Sequence, residues 1–120
     1  MLLQMFKSKL HRLRVTSTEL YYEGSITIDA ELLEVANILP YEKVQIVNVN
    51  NGSRLETYAI AGKRGSRVVC VNGAGARLNA VGDEIIAIAY TYMTPEEAQN
   101  HLPKVVLVDK DNNPLENLSY

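Results

Sequence analysis

The chain has one cysteine, two histidines and no apolar run long enough to cross a bilayer in its 120 residues, and each scarcity removes a class of protein. Cys70 has no disulfide partner within the chain, so nothing points to an oxidising compartment. In the apolar run Val68-Val69-Cys70-Val71 it reads as a small buried hydrophobe. No Cys/His spacing suits a metal, no Walker loop or dinucleotide fingerprint is present, and Gly62-Lys63-Arg64-Gly65 lacks the surroundings of a phosphate cradle. Twelve Lys+Arg against fourteen Asp+Glu leave a formal net charge of −2, without the broad basic footprint that nucleic acid requires. Lys7 and Lys9 precede no continuous apolar segment of a secretory signal. The expectation is a cytoplasmic protein with no membrane or nucleic-acid partner. Without a repeat or linker, residues 1–120 read as a single domain, able to build one core but not deep walls around a site.

What is present is mostly strand. Leu13 and Val15 alternate with Arg12, Arg14 and Thr16, and Ile26 and Ile28 flank Thr27, as on half-buried strands. Val44 to Val49 and Leu55 to Ala61 form a hairpin pair across the reversal Asn51-Gly52. Asp29 caps a short helix over 30–38 with a stripe of Leu32, Leu33, Ala36 and Leu39, which Pro40 stops. Thr94-Pro95-Glu96-Glu97 supplies cap, N1 proline and N3 glutamate for a second short helix. Val68 to Val71, Ile85 to Met93 and Lys104 to Val108 complete the strands, and residues 109–120 read as a flexible tail. This pattern predicts a mainly β fold, a small barrel with short peripheral helices.

One junction carries chemistry. In Tyr22-Glu23-Gly24-Ser25 a serine follows a glycine whose backbone bends freely enough to expose its carbonyl to the neighbouring hydroxyl. The bland reading of such a pair is a turn entering a strand. Bland readings also exist for Thr57 and Tyr58 as packed strand residues, Asn72 as an Asx turn, and Lys9, His11 and Arg54 as solvated surface groups.

Taken together, Lys9-Leu10-His11, Tyr22-Glu23-Gly24-Ser25, Asn50-Asn51-Gly52-Ser53-Arg54 with Thr57-Tyr58, Arg64-Gly65-Ser66 and Val71-Asn72-Gly73-Ala74 closely resemble the aspartate 1-decarboxylases. The resemblance spans nearly the whole chain, with residues 5–92 carrying the motifs. It implies a double-psi β-barrel and a homotetramer with active sites between subunits. It implies self-cleavage between Gly24 and Ser25, which turns residue 25 into a covalent pyruvoyl group. That group would form a Schiff base with L-aspartate and release β-alanine and carbon dioxide, with no metal or pyridoxal phosphate. Carried over by position, Ser25 and Tyr58 are catalytic, and Gly24, Ser25, Thr57 and His11 serve processing. Lys9, Arg54, Thr57, Asn72, Gly73 and Ala74 would bind substrate, and Tyr22 would shape the cleavage bend. A maturation partner is left open. Val47 stands where an aromatic is sometimes found and Gly75 where alanine is common, so pocket shape here departs from the usual pattern. The alternatives are a noncatalytic oligomeric barrel that binds small acidic metabolites through Lys9 and Arg54, and, more weakly, a swapped-hairpin DNA-binding protein using Arg12, Arg14, Lys63, Arg64 and Arg67.

Overall fold

The computed structural model describes the backbone of residues 1–115 and 118–119, and the side chains of residues 1–115. Among the described residues nine strands and two short α-helices follow one another, in agreement with the mainly β expectation. The first strand, β1 (Leu3–Arg14), is longer than the alternation at Leu13 and Val15 suggests. Register shifts between Phe6 and Ser8 and between His11 and Leu13 break its two-residue period, and Arg12 takes φ +74° at the second. Then come β2 (Ser17–Glu19), β3 (Ser25–Asp29), α1 (Ala30–Val35), β4 (Lys43–Asn48), β5 (Arg54–Gly62) and β6 (Val69–Asn72). A 3-10 helix (Gly73–Arg77), β7 (Glu84–Met93), α2 (Pro95–Gln99), β8 (Lys104–Leu107) and β9 (Leu118–Ser119) complete the order.

Local chemistry accounts for the ends of the helices. Asp29 Oδ1 accepts the Glu31 N–H at 2.9 Å to start α1. The helix stops three residues short of the expected Ile38, because Asn37 takes φ +57° and the N–H groups of Asn37 and Ile38 return to the carbonyls of Glu34 and Leu33. This is a Schellman closure with asparagine in the left-handed position. Beyond it Leu39 is 69% exposed, so only Leu32, Leu33 and Ala36 of the expected stripe face the core. At α2 the capping box is complete: Glu97 N–H donates to Thr94 Oγ1 and Thr94 N–H to Glu97 Oε1, with Pro95 in the first turn. Between β4 and β5 the Asn51-Gly52 reversal forms with Gly52 at φ +76°.

The strands lie in the order β2-β6-β3-β5-β4-β7-β1-β8-β9. Three neighbouring pairs are parallel, β2 with β6, β3 with β5 and β1 with β8; the others are antiparallel. Among the described residues this hydrogen-bonded order runs from edge to edge and does not close into the expected barrel. The sheet nevertheless curls around one core. Leu10 and Leu13 of β1, Ile26 and Ile28 of β3, Ile46 of β4 and Val69 and Val71 of β6 belong to a single buried cluster. Asn112, itself buried, donates to the carbonyls of Arg14 at 3.0 Å and Arg67 at 3.1 Å, joining the end of β1 to the approach of β6. Of the segment expected to be a flexible tail, residues 116, 117 and 120 lie outside the described residues. Residues 109–113 close a turn on Asp109 Oδ1, which accepts the N–H groups of Asp111 and Asn113.

Asp29 organises the far end of β3. Its carboxylate is 0% exposed and accepts the N–H groups of Glu31, Gly65 and Arg67 and the Arg67 guanidinium at 3.0 Å. Burial alone would raise its pKa, but the donors outweigh burial and hold the carboxyl below the usual aspartate range. A depressed native pKa contributes stability that is full above the unfolded value and is lost as pH falls through the folded one. Asp29→Asn should therefore cost about 2–4 kcal/mol in urea unfolding at neutral pH. The gap to the parent should narrow as pH drops below about 4. A gap independent of pH would assign the loss to packing instead.

Candidate active site

Strand β3 places Ser25 by its register. Ser25 pairs with Asn72 and Thr27 with Cys70 across the antiparallel β3–β6 ladder, so all four side chains share one face. Ile26, Ile28, Val69 and Val71 occupy the other, where all are buried in the core. Ser25 is 1% exposed, its Oγ–H donates to the Glu23 carbonyl at 3.0 Å, and its Oγ accepts from Asn72 Nδ2 at 3.0 Å. The same Nδ2 donates to Thr27 Oγ1 at 3.0 Å, while Asn72 Oδ1 accepts from the Cys70 thiol at 3.2 Å.

The chain beside Ser25 is crowded on one side only. Gly73 has φ +74°, and a Cβ there would lie 2.7 Å from Gly24 Cα and 2.8 Å from Gly24 N. Glycine is required twice at this position, for the left-handed backbone and for the close approach. Gly24 itself has open space where a Cβ would stand. The result is an exposed Gly24 in front of a buried serine, bordering a cleft of about 280 Å³ that Leu55, Thr57, Asn72 and Ala74 also line. A larger groove of about 420 Å³, between Gln4, Lys43, Gln45 and Tyr90, is lined by no serine, threonine or cysteine.

The structure thus brings together Gly24, Ser25, Thr57, Asn72, Gly73 and Ala74. Lys9, His11, Arg54 and Tyr58 do not line that cleft. Thr57 and Tyr58 are adjacent on β5 and point to opposite faces. On the outer face, the register row His11–Ile86–Val47–Arg54 crosses β1, β7, β4 and β5. The next row is Lys9–Ile88–Gln45–Glu56, and Tyr58 follows Glu56 on the same side, opposite Lys43. Arg54 is exposed and forms no ion pair among the described residues. Lys9 Nζ lies 5.4 Å from the centre of the Phe6 ring. Burial, followed by the positive charges of Lys9 and Arg12, holds the His11 imidazole below its ordinary pKa, so it is neutral at pH 7. Its Nδ1 is buried without a partner among the described residues.

Sequence reasoning missed Thr27 and the polar partner of the Cys70 thiol. Cys70 is buried as expected, yet its thiol faces the polar side of β6 toward Asn72. The patterns Ser25-x-Thr27 and Cys70-x-Asn72 contain the signal, but only the pairing of β3 with β6 superimposes them.

A family model described as Aspartate decarboxylase matches residues 1–115. The chain is similar to a protein of Salinibacter ruber named Aspartate 1-decarboxylase, 66% identical over 110 residues that cover 92% of this chain and 75% of the relative. A Desulfitobacterium hafniense protein of the same name is 65% identical over 111 residues, covering 92% and 87%. One from Caldicellulosiruptor saccharolyticus is 57% identical over 119 residues, covering 99% and 92%.

The two glycines near the cleft should respond differently to alanine. Gly73→Ala combines a left-handed φ with a backbone clash and should cost more than about 2 kcal/mol in urea unfolding. At Gly75 the added Cβ would meet side-chain methyls of Leu55 at 3.1 Å and Val71 at 3.2 Å. Gly75→Ala should stay within about 1 kcal/mol of the parent, since Leu55 can give way. Equal losses would show that the approach of Gly73 to Gly24 is not a constraint.

Proposed function

The chain belongs to the aspartate decarboxylase family, and from that membership we propose that it converts L-aspartate to β-alanine and carbon dioxide after cutting its own backbone between Gly24 and Ser25. β-Alanine formed this way serves pantothenate and coenzyme A synthesis. The observation that carries the reading is the buried Ser25 hydroxyl, held by Asn72 and Glu23 beside an exposed glycine.

In the cleavage, Ser25 Oγ attacks the Gly24 carbonyl carbon and the amide becomes an ester. Elimination then breaks the Ser25 Cβ–Oγ bond, frees the Gly24 carboxylate and leaves dehydroalanine at residue 25. Water replaces its nitrogen, ammonia leaves, and a pyruvoyl group remains. Thr57, on the wall of the same cleft, is suited to donate to the oxyanion on the Gly24 oxygen. Neutral His11 is suited to move a proton during processing rather than to hold a charge. The residues present fit the group, because residue 25 lies buried with the Asn72 amide directed at it. A pyruvoyl carbonyl supplies the electron sink for loss of a carboxylate as carbon dioxide. The side chains then bind, orient and protonate: Arg54 grips the retained carboxylate with its fork, Lys9 adds a second positive charge, and Tyr58 delivers a proton to the former α-carbon. Asn72 and Ala74, on the cleft wall, and Gly73 between them are suited to border the substrate.

The geometry of one chain supports assembly. The cleft has Ser25 without a cation among its lining residues, and Lys9 and Arg54 lie in register rows outside it. A homotetramer that sets the outer face of one subunit against the Ser25 cleft of the next completes the site. We assign the fold as a double-psi β-barrel, a reading supported by three parallel pairings in an otherwise antiparallel sheet and by the family. We propose that the chain acts in the cytoplasm; among the described residues no helix is long and apolar enough to cross a membrane.

Intact mass should resolve fragments 1–24 and 25–120, the larger without a free α-amine. Ser25→Ala should remain one chain and form no β-alanine; fully active material with an uncleaved backbone would overturn the proposal. Arg54→Ala should still cleave but lose about 2–4 kcal/mol in kcat/KM, roughly 30- to 1000-fold, with Arg54→Lys recovering part. Coexpressed Ser25→Ala and Arg54→Ala chains should regain turnover, because a mixed interface pairs an intact Ser25 with an intact Arg54. Absence of that rescue would confine the site to one chain.

A further inference from the structure

Asn72 is fully engaged, and its engagement has a direction. One Nδ2 hydrogen goes to Ser25 Oγ and the other to Thr27 Oγ1, each at 3.0 Å. The remaining oxygen, Oδ1, faces the Cys70 thiol at 3.2 Å. A primary amide can be turned end for end in such a site, so something must select one orientation. Both hydroxyls are indifferent, because each can donate or accept by rotating its proton. The thiol is not indifferent. Its S–H is a donor and its sulfur a poor acceptor, so an amide turned the other way would leave two N–H hydrogens against sulfur and the thiol proton without an acceptor.

The orientation matters for the nucleophile. With Nδ2 toward it, Ser25 Oγ is an acceptor on that side, and its own proton is directed to the Glu23 carbonyl at 3.0 Å. With the amide reversed, Ser25 would donate its proton to Asn72 Oδ1, rotating the hydroxyl away from that arrangement. We infer that Cys70 is a positioning residue for self-cleavage: through Asn72 it sets which way the Ser25 hydroxyl points, with Thr27 holding the second amide hydrogen. The inference rests on the proposed cleavage at Gly24-Ser25 and assigns Cys70 no contact with the reacting atoms. The β3–β6 register explains why these four groups meet, since Ser25 is opposite Asn72 and Thr27 opposite Cys70 on one face.

The test separates donor from volume. Cys70→Ser keeps a donor at that position, whereas Cys70→Ala removes it. Chains labelled in a short pulse of cell-free synthesis and chased give the first-order rate at which fragments 1–24 and 25–120 appear, read by intact mass. Cys70→Ala should slow cleavage about tenfold, the worth of one orienting hydrogen bond to a buried group. Cys70→Ser should stay within about threefold of the parent. Melting temperatures of the same substitutions in an uncleavable Ser25→Ala background report packing separately. Equal slowing by both substitutions, or parent-like cleavage in Cys70→Ala, would overturn the assignment. A parent chain that never cleaves would sink the decarboxylase reading instead. In that event the Asn72 amide protons decide the placement by NMR: they should exchange slowly in the parent and Cys70→Ser and faster in Cys70→Ala, and equal exchange in all three would remove Cys70 from this role.

Discussion

A strand of five residues clamped at both ends is the constraint on which the rest of this structure depends. At its far end β3 terminates in Asp29, whose buried carboxylate gathers three backbone N–H groups and Arg67. At its near end Asn72 holds Ser25, and Gly73 presses on Gly24. Between the clamps, Ile26 and Ile28 are fully buried, at roughly 1.5–3 kcal/mol each. A slip of one residue would drive Ser25 and Thr27 into the core and expel both isoleucines. The core therefore positions the nucleophile.

The pleat also bears on why the residues expected in one site are divided on this chain. Thr57 lines the Ser25 cleft, whereas Tyr58, its neighbour on β5, points to the other side of the strand and does not. Strand β5 lends Leu55, Glu56 and Thr57 to the cleft, while Arg54 and Tyr58 lie outside it with Lys9 and His11. The outer rows interleave these polar groups with Val47, Ile86 and Ile88, which are half-buried in the single chain. Such a face suits contact with another subunit better than contact with water, and it has the charge that the cleft lacks.

What the sequence made legible was short in range. The Thr94 capping box, the Asn51-Gly52 reversal and the Asp29 cap each depend on residues a few positions apart, and each formed as expected. The end of α1 was harder to see, since Pro40 is the conspicuous stop signal while Asn37 makes the turn. The length of β1 was hidden by two bulges that shift the alternation, and β2 is too short to show a period. In the site, motif resemblance drew attention to Ser25, Asn72 and Thr57, which meet in the cleft. It could not divide them from Lys9, His11, Arg54 and Tyr58, because that division comes from where the cleft lies on the folded sheet. Cys70 is buried as its apolar sequence neighbours indicate, and only the ladder reveals that its thiol meets polar groups.

The position of the proposed cut relative to these clamps bears on what happens afterward. The Gly24–Ser25 bond lies upstream of the β3–β5 ladder, which runs from Ile26 to Asp29, and upstream of every hydrogen bond made by Asp29. Cleavage would remove the Oγ that binds Asn72 while leaving that ladder and the burial of Ile26 and Ile28 in place. On the other side of the bond, residues 1–24 contain β1, paired along its length with β7 and flanked by β8. Leu10 and Leu13 of β1 lie in the same core as Ile26 and Ile28. The segment between β1 and the cut is also held, by β2 against β6 and by the Thr16 N–H on the Val69 carbonyl at 2.8 Å. Neither fragment could leave without exposing core, so the proposed cut would spare the hydrophobic and hydrogen-bonded anchors on both sides of it.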